Sequence, residues 1–198
     1  MKLVIASRNP KKVGELSSLL SPLGWEILPL PPHLPVPPEE ASTFLENALI
    51  KARAASQALG LPALADDSGL CVPALGGAPG VRSARYAAEG ATDAQNRQKL
   101  LCALEGKEDR RAYFYAALVL LFGAEDPTPI VAEGFWHGEI ALAEEGERGF
   151  GYDPLFFDSQ ARKTAAHMQP QEKNKRSHRG KAARRLLARL SALGDKPG

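Results

Sequence analysis

The sequence predicts an α/β protein built on a mixed sheet with helices on its faces. Three observations carry that prediction. A short apolar run, residues 2–6 (KLVIA), passes straight into a helix with a defined start. Two capping boxes, Thr43 with Glu46 and Thr92 with Gln95, open two further helices. Between and after them lie β-prone runs, above all residues 110–122 (RRAYFYAALVLLF). Strands and helices therefore alternate along the chain.

The first helix has Asn9 as its N-cap and Pro10 at the first helical position, where a fixed φ and a missing N–H do no harm. Val13, Leu16, Leu19 and Leu20 fall on one face, and the helix is predicted to end near Ser21–Pro22. A strand follows around residues 25–30 (WEILPL). Residues 29–38 (PLPPHLPVPP) hold six prolines in ten positions, so this piece is an extended, stiff surface loop and no central strand. The second helix runs from the Thr43 cap to Gly60, with Phe44, Leu45, Ala48, Leu49, Ala52 and Leu59 facing the core.

Residues 61–70 (LPALADDSGL) read as a buried strand that ends near its aspartate pair. A loop broken by Gly and Pro spans 73–87, and a third helix runs from about Asp93 to Leu104. Residues 129–142 read as the antiparallel neighbour of 110–122. After a Gly-rich stretch at 144–157, a last helix from about Ser177 to Leu193 turns Ala183, Leu186, Leu187, Leu190 and Leu193 inward. There is no internal repeat.

A chain of 198 residues suits one large domain or two small lobes sharing a core. Hydrophobic residues at 44% and charged residues at 24% argue against extensive disorder. No apolar run is long enough for a bilayer span, and the opening MKLVIASRNP is too short for a secretory signal. Cys71 and Cys102 share no ligand spacing and fit a reducing cytoplasm. Net charge is only +2, yet Lys173 to Arg189 holds eight Lys/Arg and no Asp/Glu. Such a block either attracts phosphate or is the solvated face of a helix.

Several short stretches have chemistry in reach. A strand running into a helix N-terminus at SRNPKK (7–12) makes an anion site, with Ser7 adding a hydroxyl and Lys12 a charge; a simple capped helix is the alternative. Asp66 and Asp67 are either a polar turn or carboxylates for a hard divalent cation. If strand geometry persists, the two side chains point to opposite faces, and only one meets the site directly. Glu39 and Glu40 are either helix-entry charges or partners of Asp67 at a metal. GFGYDP (149–154) offers aromatic faces for a base beside glycines that permit close approach, or a tight turn. SHRG (177–180) sets imidazole and guanidinium donors at a helix start.

In this order, SRNPKK, FLENALIKA, ADDSGL with LGGAPGVRSARYA, GFGYDP and SHRGKA, the sequence resembles the inosine triphosphatase family from Leu3 to the last helix. These are magnesium-dependent pyrophosphatases for non-canonical purine nucleoside triphosphates. The resemblance implies an elongated mixed sheet, two lobes with a central nucleotide cleft in a single 1–198 domain, a fold shared with Maf proteins, and a cytoplasmic homodimer. It implies a substrate loop of Ser7, Arg8, Asn9, Pro10, Lys11 and Lys12, and Asp67 as the acidic residue at the catalytic centre and a Mg2+ ligand. Glu39 is the second metal ligand, with Glu40 as the alternative. Ser68, Phe150, Gly151, Tyr152, Asp153, Lys173, His178 and Arg179 complete substrate binding. Arg8 stands where the family usually has glycine.

The implied reaction converts a nucleoside triphosphate to monophosphate and pyrophosphate. Asp67 orients and deprotonates water, and Lys12, Lys173 and Mg2+ offset the phosphate charge. Arg179 and His178 favour a 6-oxo purine, because a guanidinium cannot accept the hydrogen bond that an adenine amino group offers. The alternative is a Maf-type pyrophosphatase acting on pyrimidine or modified nucleotides. No nucleic-acid-binding motif is present, and neither nucleic acid nor membrane is an expected partner.

Overall fold

A computed structural model describes residues 1–193; the last five positions of the expected 1–198 domain lie outside the described residues. In chain order the elements are β1 (Lys2–Ile5), α1 (Pro10–Leu20), β2 (Glu26–Pro29), α2 (Phe44–Leu59), β3 (Ala63–Cys71), α3 (Asp93–Ala103), β4 (Arg111–Leu121), β5 (Ile130–Ile140), β6 (Phe156–Asp158), β7 (Lys163–Thr164), α4 (Pro170–Arg176) and α5 (His178–Ala192). The strands form a seven-stranded sheet in the order β2-β1-β3-β4-β5-β6-β7. It is mixed: β1 runs parallel to β2 and β3, and β6 is antiparallel to β5 and β7.

The chain forms two compact units. The first holds Met1–Asp67, Ala116–Gly134 and the chain from His178 onward. Its core joins Leu3 and Ile5 of β1, Leu16 and Leu20 of α1, Leu64 of β3, Leu118 and Leu120 of β4, and Ala182, Ala183 and Leu186 of α5. Gly134 marks where α5 lies tight on β5: a Cβ there would sit 2.0 Å from the His178 carbonyl oxygen, so no side chain fits. Helix α2 buries a face of small residues, Ala48, Ala52 and Ala55, which lets it approach closely.

The second unit holds Ser68–Tyr115 and Phe135–Ser177. Phe114, Trp136 and Phe156 are its centre, with Phe156 4.7 Å from Phe114 and 4.8 Å from Trp136 between ring centroids. Leu70, Val72, Leu100, Leu104 and Met168 close around them. The Trp136 indole N–H donates to Asp158 at 2.9 Å, so its burial leaves no donor unmet.

Three expectations change. β3 does not end at the aspartates but carries Asp66 and Asp67 in its middle, where Lys12 and Arg179 offset the charge of the first and Lys51 that of the second. The loop at 73–87 contains two 3-10 turns, Pro73–Leu75 and Gly80–Arg85. The Gly-rich stretch yields the short strand β6, and a separate helix, α4, precedes α5. Both are too short to show a period in sequence.

Candidate active site

In the first unit, Asp66 and Asp67 occupy consecutive positions of β3 and therefore face opposite ways. Asp66 meets α1 and α5: its Oδ2 lies 3.0 Å from Lys12 Nζ and 3.2 Å from Arg179 Nε. Arg179 also pairs with Glu15 of α1 at 2.9 Å. Burial raises the Asp66 carboxyl, but Lys12 and Arg179 outweigh it and hold the group well below the usual carboxylate range. Asp66, so held ionised, ties two helices to the sheet.

Asp67 meets α2 instead. Lys51 Nζ donates to Asp67 Oδ1 at 2.9 Å, to Glu39 Oε1 at 2.6 Å and to the Asp66 carbonyl oxygen at 2.8 Å. The Lys51 and Asp67 side chains are 6% and 5% exposed, against 29% for Glu39. Burial, with Glu39 adding repulsion, pushes the Asp67 carboxyl up to about 6 despite the Lys51 charge. Glu39 goes the other way: burial raises it, but the attraction and hydrogen bond of Lys51, with the charge of Lys12, together outweigh that. Adjacent carboxylates are thus split into a fixed anion and a group that takes up a proton near neutrality, the separation an acid–base site needs. Asp67 Oδ2 is buried and has no hydrogen-bond partner among the described residues.

Glu39, not the exposed Glu40, reaches this cluster. Two carboxylates and an orphaned oxygen suit a hard cation that takes its remaining ligands from substrate phosphates. No group of three or more His, Cys, Asp or Glu side chains that could hold a metal occurs among the described residues. Beside Lys51 lies an apolar cavity of about 240 Å³, between Leu34–Pro38 and Ala54, Ala55 and Ala58 of α2.

The 7–12 segment caps α1 with its own side chains. Asn9 Oδ1 accepts from the Lys11 and Lys12 amides at 3.0 and 3.3 Å, and Ser7 Oγ accepts from the Asn9 amide at 3.2 Å. Pro10 is the first helical residue. The Asn9, Lys11 and Lys12 amides are thus taken up within the segment, and the Lys12 ammonium is paired with Asp66. Arg8 turns away from the helix and donates to the carbonyls of Pro32, at 2.8 Å, and Leu34. His178 and Arg179 are buried at the start of α5. The guanidinium is engaged by carboxylates, a placement the sequence did not anticipate.

In the second unit, Lys173 of α4 lies 2.6 Å from Asp153 Oδ2 and sits over the Phe150 ring at 4.8 Å. Asp153 Oδ2 also accepts the Phe150 amide at 2.9 Å. A Cβ on Gly149 would fall 2.0 Å from that same oxygen, so the loop closes only around a glycine. The Tyr152 hydroxyl donates to the Ser83 carbonyl at 2.8 Å. Ser68 is half-buried, next to Asp67 in the chain. The basic block is no open run: Arg176 pairs with Asp158, Arg185 donates to the Glu133 carbonyl and Arg189 to that of Val131.

Sequence reasoning passed over Lys51 and Glu15. The signal for Lys51 was a lysine within the buried face Asn47, Ala48, Ala52 and Ala55 of α2, where a charge persists only if paired.

The fold is that of an α/β protein whose two units each carry a cluster of paired charges, Glu39–Lys51–Asp67 in the first and Asp153–Lys173 in the second. The Ham1 family model matches residues 3–189, and the chain belongs to that family. It is 55% identical over 191 residues to a dITP/XTP pyrophosphatase of Aromatoleum aromaticum, covering 96% of each chain. A Nitrosomonas europaea protein of the same description is 53% identical, over 96% of this chain and 94% of that one. Among solved structures, a HAM1 protein from Coxiella burnetii superposes with a TM-score of 0.90 at 47% identity, covering 97% of this chain and 99% of the other. The Staphylococcus aureus Ham1 protein gives 0.86 at 40% identity, covering 98% and 100%.

Proposed function

We propose that the chain hydrolyses non-canonical purine nucleoside triphosphates, dITP, ITP and XTP, to the monophosphate and pyrophosphate, removing them from the nucleotide pool. The observation that carries this is the buried Glu39–Lys51–Asp67 cluster with an acid at about 6, in a chain whose relatives are dITP/XTP pyrophosphatases. The Maf-type alternative has no such support.

The water oxygen attacks the α-phosphorus, and the bond from that phosphorus to the α–β bridging oxygen breaks. Pyrophosphate leaves with the bonding electrons. Asp67 orients the water and takes its proton, a task suited to a carboxyl whose affinity for protons has been raised by burial. Lys51 holds Asp67 and Glu39 in place, and Lys12, anchored by Asp66, faces the phosphates. Glu39 and Asp67 are the residues that would hold Mg2+, which supplies charge neutralisation to the triphosphate. Ser7 to Lys12 and Ser68 contact the substrate.

Phe150 offers its ring to the base, with Tyr152 and Gly151 shaping the loop. Lys173, expected from the sequence to offset phosphate charge, lies over the Phe150 ring and is assigned to the base instead. A donor that cannot accept favours a 6-oxo purine over adenine, and the same preference is assigned to His178 and Arg179. The protein acts as a cytoplasmic homodimer and needs neither nucleic acid nor a membrane. No helix among the described residues is long and apolar enough to cross one.

A substrate panel with pyrophosphate detection tests the reading: dITP, ITP and XTP against ATP, GTP and pyrimidine triphosphates, each with Mg2+ and with chelator. Preference for the first three, lost with chelator, is the expected result. A pyrimidine preference would return the Maf-type alternative. Sedimentation equilibrium of the same sample reads the dimer.

A further inference from the structure

We infer that Asp93 and Arg97 of α3 are positioning residues that set the base-facing loop 149–153 and thereby base selection, an inference that rests on the functional reading above. The two lie one helical turn apart, on one face of α3. Asp93 Oδ2 accepts the Gly151 N–H at 2.7 Å, and Arg97 Nη1 donates to the Gly151 carbonyl at 2.9 Å. One residue is gripped by both of its backbone polar groups, so the peptide planes on either side are fixed.

Gly151 is where such a grip matters. Its φ of 62° is left-handed, and glycine is the residue whose backbone is least restrained by itself. Phe150 and Tyr152 flank it, so rotation at Gly151 would swing the Phe150 ring away from Lys173. Both grips are charge-assisted hydrogen bonds, the stronger kind. Asp93 also lies in the first turn of its helix, at the end that points toward the loop's Gly151 amide.

The clamp is itself anchored. Arg97 Nε pairs with Glu144 at 2.8 Å. Asn96 accepts the Ala87 amide at 2.7 Å and donates to the Ala84 carbonyl at 3.1 Å. Lys99 donates to the Tyr86 carbonyl at 2.7 Å, and Tyr152 to that of Ser83 at 2.8 Å. Segment 83–87, α3 and the 149–153 loop are therefore one hydrogen-bonded body. Nothing in this network requires Asp93 or Arg97 to touch the base.

The test compares Asp93→Ala, Asp93→Asn, Arg97→Ala and Arg97→Lys with wild type. Three quantities are read: the ratio of kcat/KM for dITP over ATP, the Gly151 amide exchange rate by NMR without nucleotide, and Tm. In both alanine variants the ratio should fall about tenfold, carried mainly by KM for dITP. Gly151 exchange should accelerate. Asp93→Asn, whose amide oxygen still accepts the N–H, should restore both. A ratio and an exchange rate unchanged in the alanine variants would overturn the inference, whatever Tm does. If Arg97→Ala fails to fold, Arg97→Lys, lacking the planar fork, is read in its place. Wild type without preference for dITP would sink the functional reading itself, and base selection with it; preference in wild type with no change in the variants would sink the inference alone.

Discussion

Lys51 and Asp67 form a buried ion pair of 2.9 Å, and Asp67 is nevertheless pushed up to about 6. Desolvation and the second carboxylate, Glu39, together exceed what one shared ammonium returns. The arrangement leaves Asp67 ionised enough to receive a cation and basic enough to receive a proton.

Lys51→Met should therefore remove more than a charge. With the ammonium gone, Glu39 and Asp67 face each other without a counter-ion, and breaking a buried pair on one side costs about 3–5 kcal/mol. Part of that is recovered by protonation of Asp67. The expected result is a lower urea midpoint and a fall of about 10²-fold or more in kcat/KM for dITP. Near-normal turnover would remove Lys51 from the site.

Asp66 and Asp67 should separate cleanly in a second comparison. Asp67→Asn keeps the volume but cannot take a proton, and turnover at saturating Mg2+ should drop about 10²–10⁴-fold with the fold intact. Asp66→Asn leaves Lys12 and Arg179 without their shared anion, so stability falls first. Circular dichroism melts and pyrophosphate release on both variants read the two effects. Wild-type turnover in Asp67→Asn would overturn its role.

The two members of this pair looked alike in sequence, and that limit is physical. Caps and the Pro-rich loop were legible because each depends on neighbours within one turn: Asn9 with Lys11 and Lys12, Thr43 with Glu46, Thr92 with Gln95. The stripes were legible only in part: Leu45 and Leu193, expected inward, are exposed, and α2 buries Asn47, Lys51 and Ser56 beside its alanines. The opposite facing of Asp66 and Asp67 was legible too, from strand period alone. Which of them would be held ionised was not, because that depends on Arg179, far along the chain, and on Lys51. Arg179 read as a base donor from its place in SHRG, since nothing local to it announces Asp66 or Glu15. Short β6 and β7 gain their strand character from pairing with β5 and with each other, not from their own residues.

Stability should carry opposite pH signatures from the two aspartates. Asp66 is depressed in the folded state, so below about pH 4 the unfolded chain binds the extra proton. Its contribution is present above that pH and is lost as pH falls. Asp67 is raised: between about pH 4 and 6 the folded chain holds the extra proton, and stability from this group declines as pH rises through about 6. Tm measured in chelator from pH 3 to 8 should show both slopes in wild type. Asp67→Asn should lose the decline and keep the acid limb. A decline that survives in Asp67→Asn would assign it to another group.

Arg179→Ala separates two roles for one side chain. Its guanidinium holds Asp66 and Glu15, so its removal strands two buried or half-buried carboxylates and should lower the urea midpoint. A share in 6-oxo recognition predicts, in addition, a smaller ratio of kcat/KM for ITP over ATP. Both are expected. A destabilised variant with an unchanged ratio would leave Arg179 as the anchor of Asp66 and pass base recognition to the Lys173 cluster.

Arg8 offers the last prediction, because it departs from the glycine usual in the resembling family. Its guanidinium donates to the carbonyls of Pro32 and Leu34, tying the 7–12 segment to the proline-rich loop. That loop walls the cavity beside Lys51 and leads directly to Glu39. Prolines stiffen the loop but remove the N–H groups that would anchor it, so an outside donor to its carbonyls is the available restraint. Arg8→Gly should free it. Each exposed hydrogen bond contributes about 0.5–1.5 kcal/mol, so global stability should change little. Amide exchange at the non-proline positions of 33–40 should accelerate, and KM for dITP should rise about three- to tenfold with kcat retained as Glu39 loses its fixed position. Unchanged exchange in that segment would show that the prolines alone hold it.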